Sequence, residues 1–293
     1  MTYSLVARDA ETGELGVAVQ SHYFSVGSVV PWAEPGVGAV ATQSIVEVSY
    51  GPRGLELMAA GRKPFEALHE LTSQDQEADV RQVGMANAAG EVAVHTGPRC
   101  IREAGHATGE GVSCQANMMR RDTVWGAMLA AYERTPGDLA ARMMAALDAA
   151  EAEGGDIRGR QSAAVLVVSP DRRLDLRVED HTDPLGELRR LLALRHAYDH
   201  ADRGDDLAAL GDVEGAMREY SRALELAPGN VEVAFWTGVS LAAAGRMDEA
   251  RPYLDQAFQA GDGWAELLRR LPASGLFPED PELLHRALGH PGP

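Results

Sequence analysis

The sequence predicts a mixed α/β domain in which two β-sheets lie between pairs of helices, followed by a smaller all-helical domain. Two observations support this fold class. Segments rich in strand-forming residues alternate with two helical pairs as far as Val178, an order that fits two sheets covered by helices. After Pro184 the apolar residues keep helical spacing only. We therefore divide the 293 residues into domains at 1–185 and 186–293.

The strand predictions rest on short runs of apolar and β-branched residues that are bounded by turn signals. Residues 2–8 and 15–19 form a hairpin around the turn at 11–14. The continuous apolar run at 162–168 is typical of a buried strand. Further strands are predicted at 25–30, 38–44, 80–86, 92–96, 111–117 and 174–178.

Two helical pairs separate these groups of strands. Apolar residues recur at helical spacing within 51–72 and again within 122–152. Gly61 and Pro64 divide the first pair, and Pro136-Gly137-Asp138 divides the second. Each pair can cover one sheet, so the expected domain has four layers, helices outside and sheets inside.

The C-terminal domain contains an internal repeat with a period of 34 residues. Matching pairs at this offset are Gly204 and Gly238, Gly211 and Gly245, Ala216 and Ala250, and Ala223 and Ala257. Small residues at such points let antiparallel helices approach closely. The period resembles that of tetratricopeptide repeats, with units at about 197–230 and 231–264. The large aromatic residue expected near the start of each unit is missing, and a generic helical appendage is the alternative.

Charge and composition exclude several kinds of partner. The formal net charge of -17 repels phosphate backbones and anionic lipid, so we expect no nucleic-acid and no membrane partner. No run approaches the ~20 apolar residues that span a bilayer, and the N-terminus lacks the basic and apolar regions of a secretory signal. The two cysteines, Cys100 and Cys114, indicate no disulfide framework. We expect a cytoplasmic bacterial protein.

Thr2 offers the most specific chemistry in the chain. Methionine aminopeptidase removes Met1 when the next side chain is small, and threonine qualifies. The new α-amine would have a pKa of ~7.7–8.0, so it can accept the proton of the Thr2 hydroxyl at neutral pH. Thr2 also begins a strand, which places it at the end of a sheet. Threonine is common at this position, so the dipeptide alone is a weak signal.

Several segments are similar to the family called domain of unknown function 1028. They are residues 2–9, 13–21, 36–43, 51–56, 81–83, 97–100, 115–117, 154–156 and 159–163. The resemblance covers about residues 1–190. It implies a four-layer αββα sandwich of the N-terminal-nucleophile (Ntn) hydrolase class. The family has no established substrate, so the resemblance leaves the reaction open.

The order of elements also resembles that of proteasome-type β subunits. By position, Gln20-Ser21 stands where those proteins carry an acid and a serine, and residues 41–44 stand at the oxyanion segment. Residues 114–117 match the region of a later serine, and Asp156 begins the last segment. The resemblance is incomplete because Gln20 replaces the acid and the catalytic lysine has no counterpart. The proteasome mechanism is therefore not carried over.

These positions give a set of candidate site residues. Thr2 is the predicted nucleophile, Gln43 and Asn117 are predicted to donate to an oxyanion, and Asp156 is predicted to orient the Thr2 amine. The predicted substrate contacts are Gln20, Ser21 and Arg158, the last as a bidentate partner for a carboxylate. Two alternatives remain open: Asp156 pairs with Arg158 or Arg160, and the amides bond neighbouring backbone.

Two functions fit these residues. The first is an Ntn-type amidohydrolase that cleaves a small amide or short peptide bond through Thr2, with no metal or organic cofactor. The second is a catalytically silent scaffold that binds a small molecule or peptide and recruits a protein partner through its helical repeats. Ntn-type sandwiches often associate through their outer helices, so we expect a homodimer in either case.

Overall fold

The computed structural model describes residues 2–289, and the chain divides into two compact units, residues 1–190 and the part from Leu191 onward. The first unit contains two antiparallel sheets. One has six strands in the order β10-β9-β2-β1-β8-β7, and the other has four in the order β3-β4-β5-β6. The strands are β1 Thr2–Arg8, β2 Leu15–Ser21, β3 Pro31–Glu34, β4 Gly38–Ser44, β5 Arg81–Asn87, β6 Val92–Thr96, β7 Gly105–Gly109, β8 Val112–Asn117, β9 Ser162–Ser169 and β10 Arg172–Val178.

Two helical pairs cover the outer faces of these sheets, as predicted. Helices α1 (Tyr50–Ala59) and α2 (Pro64–Ser73) pack their apolar faces on Val40 and Met85 of the four-stranded sheet. Helices α3 (Val124–Arg134) and α4 (Leu139–Ala152) cover the six-stranded sheet. The inner faces of the two sheets meet in a separate apolar core. The result is the expected four-layer α/β sandwich.

The alternation of side chains along each strand decides which layer each residue enters. In β1 and β2, Val6, Val17 and Val19 point into the core between the sheets. The intervening residues point toward α4, and Gly16 lies so close to Met143 that a Cβ there would be 2.7 Å from the methionine methyl. Because this alternation continues to the strand ends, it also sorts the polar residues there.

One local prediction was wrong, and two edge strands were missed. Residues 25–30 were expected to form a strand, but Val26–Ser28 form a 3-10 turn that begins at Ser25, which has a φ of 57°. The apolar character of this segment reflects burial of Val26 and Val30 in the inter-sheet core. The edge strands β3 and β7 were not predicted. Strand β7 is rich in glycine, and it pairs only with β8, so pairing with its neighbour stabilises it more than its own propensity does.

The second unit is helical. Helix α5 (Pro184–Ala209) contains the point at which the two units divide. The other helices are α6 Val213–Leu226, α7 Val231–Ala243, α8 Met247–Ala260, α9 Asp262–Arg270 and α10 Pro281–Ala287. Gly204 and Gly238 sit where helices approach closely, as expected: a Cβ on Gly204 would lie 2.5 Å from Tyr220, and one on Gly238 would lie 2.8 Å from Leu254. Gly211 and Gly245 do not, because each has a φ of 81° and open space around it, and they serve the turns that follow α5 and α7 instead.

Candidate active site

Thr2 lies in a row of polar residues at one end of the six-stranded sheet. Strand β1 runs between β2 and β8, and its register places Thr2 opposite Ser21 on one side and Asn117 on the other. Ser21 is in turn opposite Ser162 of β9. Thr2 is only 4% exposed, and its hydroxyl donates to Ser21 Oγ at 3.1 Å. The predicted nucleophile therefore already bonds a second hydroxyl inside the sandwich.

A buried cluster of carboxamides from both sheets surrounds the Thr2 peptide, and Gln82 of β5 is at its centre. Gln82 Oε1 accepts from Gln43 Nε2 at 2.7 Å and from Asn117 Nδ2 at 2.9 Å. Both nitrogens also reach the Thr2 carbonyl oxygen, each at 3.3 Å. The Gln82 nitrogen donates to Thr96 Oγ1 at 2.9 Å and to the carbonyls of Gly105 at 3.2 Å and Ala116 at 2.9 Å.

This network determines which atoms of the cluster are available. Because the Gln82 nitrogen faces two backbone carbonyls, its oxygen must face the nitrogens of Gln43 and Asn117. The N–H groups of these two amides are therefore used within the protein. Their oxygens, Gln43 Oε1 and Asn117 Oδ1, are buried and have no hydrogen-bond partner within residues 2–289. At rest the cluster thus presents acceptors, which suit an ammonium or N–H group, while an oxyanion requires donors.

Asp156 and Arg158 form an ion pair beside this row. The Asp156 side chain is fully buried and accepts from Arg158 Nε at 3.1 Å and Nη2 at 2.8 Å. It also accepts the backbone N–H of His22 at 3.3 Å. Asp156 thereby fixes the residue that follows Ser21, and the alternative of an Asp156–Arg158 pair is the observed one. Because the guanidinium is held by Asp156, a substrate carboxylate would have to compete for it.

Gln20 does not join the cluster. It is opposite Tyr3 in the β1–β2 register, and both residues alternate toward α4, where the Tyr3 hydroxyl donates to Glu151. Ser21 points the other way, toward the second sheet. The prediction that Gln20 contacts substrate beside Thr2 does not fit this position, because the pleat puts the two side chains on opposite faces. Both polar atoms of the Gln20 side chain are buried without a hydrogen-bond partner in the described chain.

Unusual backbone conformations concentrate at the same end of the sandwich. Among residues 2–289, the non-glycine residues with positive φ are Ser25, Ser44, Glu103 and Met118. Ser44 directly follows Gln43, and Met118 directly follows Asn117. The left-handed region costs L-residues free energy, and such residues cluster at functional sites. Their placement supports a site at this end.

A second polar group supports the neighbouring loop. Arg81 Nε donates to Asp75 Oδ2 at 2.8 Å, and Arg81 Nη1 donates to the carbonyl of Ile45 at 2.7 Å. The hydrogen bond from Arg81 lowers the pKa of Asp75 to about 2. Burial, together with Asp75, raises the pKa of the Tyr50 phenol that donates to this carboxylate. The pair fixes Ile45 just beyond Gln43 and Ser44.

Sequence reasoning missed two buried carboxamides, Gln82 of the cluster and Gln115 beside it. Gln115 Nε2 donates to Ser4 Oγ at 2.7 Å, and its carboxamide fits between the sheets because Gly84 faces it without a side chain. Both glutamines lie in strands whose residues are almost all buried. A carboxamide within such a strand is the signal that would have found them, since buried polar groups are retained where they are bonded.

No metal site or membrane span is evident in the described part of the chain. No group of three or more His, Cys, Asp or Glu side chains there is arranged to hold a metal ion. None of the helices there has the length and apolar character needed to cross a bilayer. The groups around Thr2 are hydroxyls, carboxamides and the Asp156–Arg158 ion pair.

Comparison with known proteins identifies both parts of the chain. Residues 2–188 match a family of unknown function, domain of unknown function 1028, and residues 201–263 match the tetratricopeptide repeat. Among solved structures, the crystal structure of protein SPO2555 from Silicibacter pomeroyi, which carries the same family domain, is similar with a TM-score of 0.62 and 32% identity. The match covers 65% of this chain and 87% of that chain. No curated protein matches.

The resemblance noted in the sequence is thus confirmed for the family and for the repeat. The family match spans the sandwich and the whole residue row around Thr2. On this evidence the chain belongs to the domain of unknown function 1028 family and carries a tetratricopeptide repeat after that domain.

Proposed function

We propose that the sandwich is an Ntn-type amidohydrolase in which Thr2, exposed as the first residue by removal of Met1, attacks a small amide or short peptide bond. The observation that carries this proposal is the position of Thr2, buried at the sheet end with its hydroxyl 3.1 Å from Ser21 Oγ and carboxamides on its carbonyl. Met1 itself lies outside the described residues. No metal or organic cofactor is required.

The proposed reaction has two halves. Thr2 Oγ1 bonds to the substrate carbonyl carbon while the α-amine accepts the hydroxyl proton. That proton passes to the leaving nitrogen, the C–N bond breaks, and an acyl ester remains on Thr2. A water molecule then attacks the ester, the amine accepts its proton, and the acid is released with Thr2 restored. In this scheme Ser21 fixes the hydroxyl rotamer and takes part in the proton path.

Gln43 and Asn117 act in this proposal by holding the Thr2 peptide. Their nitrogens bind the Thr2 carbonyl and Gln82, so each would stabilise an oxyanion only by exchanging one of these bonds for the substrate oxygen. Their free carbonyl oxygens suit the Thr2 ammonium or a substrate N–H. Asp156 positions the strand end through His22, and Arg158 neutralises Asp156.

Intact mass and a covalent probe test the proposal. Purified protein should lack Met1, and an electrophilic β-lactone or epoxyketone should add one equivalent at Thr2. Thr2→Ala should abolish labelling and hydrolysis while circular dichroism stays unchanged. Thr108→Ala, at an exposed position on β7, is the matched control and should label normally. Retained Met1, or hydrolysis by Thr2→Ala, would reject the assignment.

The second candidate is a catalytically silent scaffold. The observation that favours it is that the carboxamide donors satisfy one another and the backbone, together with Gln20 in place of an acid. Such a protein would bind its ligand without turnover. Retained Met1 would support it strongly, because a blocked amine cannot act as base, and if Met1 is absent, the lack of labelling and hydrolysis at Thr2 distinguishes it from the hydrolase.

The helical repeats are the proposed site of a protein partner in either case. A cavity of about 690 Å³ in this unit is lined mainly by apolar side chains, including Met217, Trp236 and Leu276. Leu276 is exposed, as is Leu210, which lies in the chain between the lining residues Ala209 and Gly211. Exposed apolar patches of this kind mark interaction sites. Affinity capture by wild type, with loss on Trp236→Ala, tests the proposal.

A further inference from the structure

The exposed apolar side chains of the sandwich are concentrated around the Thr2 end. Within the described part of the first unit, the large apolar residues exposed to solvent are Tyr23, Phe24, Ile45, Val48, Phe65, Ile101 and Ile157. All except Phe65 lie in loops that directly follow or precede the strand ends of the candidate site. We call these six residues the apolar rim: Tyr23, Phe24, Ile45, Val48, Ile101 and Ile157.

Backbone contacts tie the rim to the site. The N–H of Met118, next to Asn117, donates to the Ile101 carbonyl, and the N–H of Ile157 donates to the Met118 carbonyl. Ile101 and Ile157 therefore flank the end of β8. The Tyr23 carbonyl accepts from Ser162 Oγ, a member of the polar row.

The rim comes from both sheets. Tyr23, Phe24, Ile101 and Ile157 lie beyond strands of the six-stranded sheet, whereas Ile45 and Val48 lie beyond β4 of the other sheet. Gln43 of the four-stranded sheet donates to the Thr2 carbonyl of the six-stranded sheet, so the strand ends that precede both groups of rim residues meet at Thr2. A molecule that approaches Thr2 from this end therefore meets exposed apolar side chains from both sheets.

Two arginines beside the cluster are already paired with carboxylates. Arg158 is paired with Asp156, and Arg81 is paired with Asp75. An apolar ligand would remove apolar surface from water on both sides of the scissile bond, which is favourable in proportion to the buried area. A substrate carboxylate placed there would have to compete with Asp156 and Asp75 for these guanidinium groups, and the free oxygens of Gln43 and Asn117 suit the Thr2 ammonium or the N–H of an uncharged amide.

We propose that the apolar rim selects an amide substrate with uncharged, apolar groups flanking the scissile bond, such as an N-acylated amide of a leucine-type residue. This inference rests on the proposed function, because it names the substrate class of the same Thr2 site. In this proposal the loops that carry the rim determine substrate specificity, whereas the polar cluster holds the Thr2 peptide. Phe65, which is 72% exposed at the start of α2, is outside the rim.

The test compares aminomethylcoumarin amides of N-acetyl-leucine, N-acetyl-aspartate and N-acetyl-lysine. Wild type should prefer the leucine amide by at least about tenfold in kcat/KM, the discrimination that apolar contacts in a pocket commonly give. Phe24→Ser and Ile45→Ser should each lower that kcat/KM by roughly tenfold or more and leave the poor substrates unchanged. Phe65→Ser, the matched control, should behave as wild type.

Binding to Thr2→Ala separates failure of this inference from failure of the proposed function. If no amide is hydrolysed but the leucine amide binds Thr2→Ala, and Phe24→Ser weakens that binding, the rim inference stands and the catalytic proposal fails. Equal turnover of all three amides, no binding of the leucine amide, or rim variants with unchanged kcat/KM would overturn the inference. A dimer that dissociates on Phe24→Ser would also overturn it, because the rim would then be an interface between copies.

Discussion

Replacing Gln82 by methionine is the most direct test of the carboxamide cluster. Methionine has similar length but neither donates nor accepts strong hydrogen bonds. The variant loses five contacts, two to the side-chain oxygen and three to the nitrogen. A buried hydrogen bond contributes about 0.5–1.5 kcal/mol net. Gln43 and Asn117 each keep a bond to the Thr2 carbonyl, so the loss should lie toward the lower part of the sum over the five bonds. We expect the free energy of unfolding to fall by about 2–5 kcal/mol.

Hydrogen exchange measures this loss where it occurs. Amides of β5 and β8 should exchange roughly 30- to 4,000-fold faster in Gln82→Met, since each 1.4 kcal/mol is about a tenfold change. Gln74→Met is the control, because Gln74 is exposed and its bond to Arg53 lies at the surface. Surface substitutions change stability by about 0.5 kcal/mol or less. Exchange in Gln82→Met within about twofold of the control would refute the claim that the cluster stabilises this end of the sandwich.

Three further predictions follow from the structure. Arg81 lowers the pKa of Asp75 from 3.8 to about 2, so the ionised Asp75 stabilises the fold above pH ~4, and this stabilisation is lost as the pH falls toward ~2. In Asp75→Asn the urea midpoint of unfolding should therefore depend less on pH across that window. The same pH dependence in the variant as in wild type would contradict the prediction. Gly84→Ala should lower the free energy of unfolding by about 1–3 kcal/mol, because the new Cβ would lie 2.6 Å from Gln115 Oε1. Gly126→Ala is the control, because Gly126 has open space around it, and it should raise the free energy of unfolding by up to about 1 kcal/mol. Equal thermal midpoints for the two variants would argue against the close approach at Gly84. Light scattering should give twice the mass of the 293-residue chain if the expected homodimer forms, and a monomer at every concentration would exclude it.

The local elements of the first unit could be predicted because their periodicity is carried by neighbouring residues. The hairpin of β1 and β2, the helical pairs and the buried strand β9 each had a complete signal within their own span. The segments that failed depend on contacts elsewhere. Val26 is apolar because it fills the core, and the glycine-rich β7 is a strand because β8 pairs with it.

The sequence by itself determined that polar residues stand at several strand ends, that Thr2 opens the first strand, and that a helical repeat follows the sandwich. Only the tertiary structure decided which of those polar residues meet. Gln43 and Gln82 belong to one sheet and Thr2 and Asn117 to the other, so their contact depends on how two sheets stack. The pleat likewise separates Gln20 from Ser21, its chain neighbour, by placing them on opposite faces. Spacing along the chain reports the face of an element, whereas distance between elements is determined by packing.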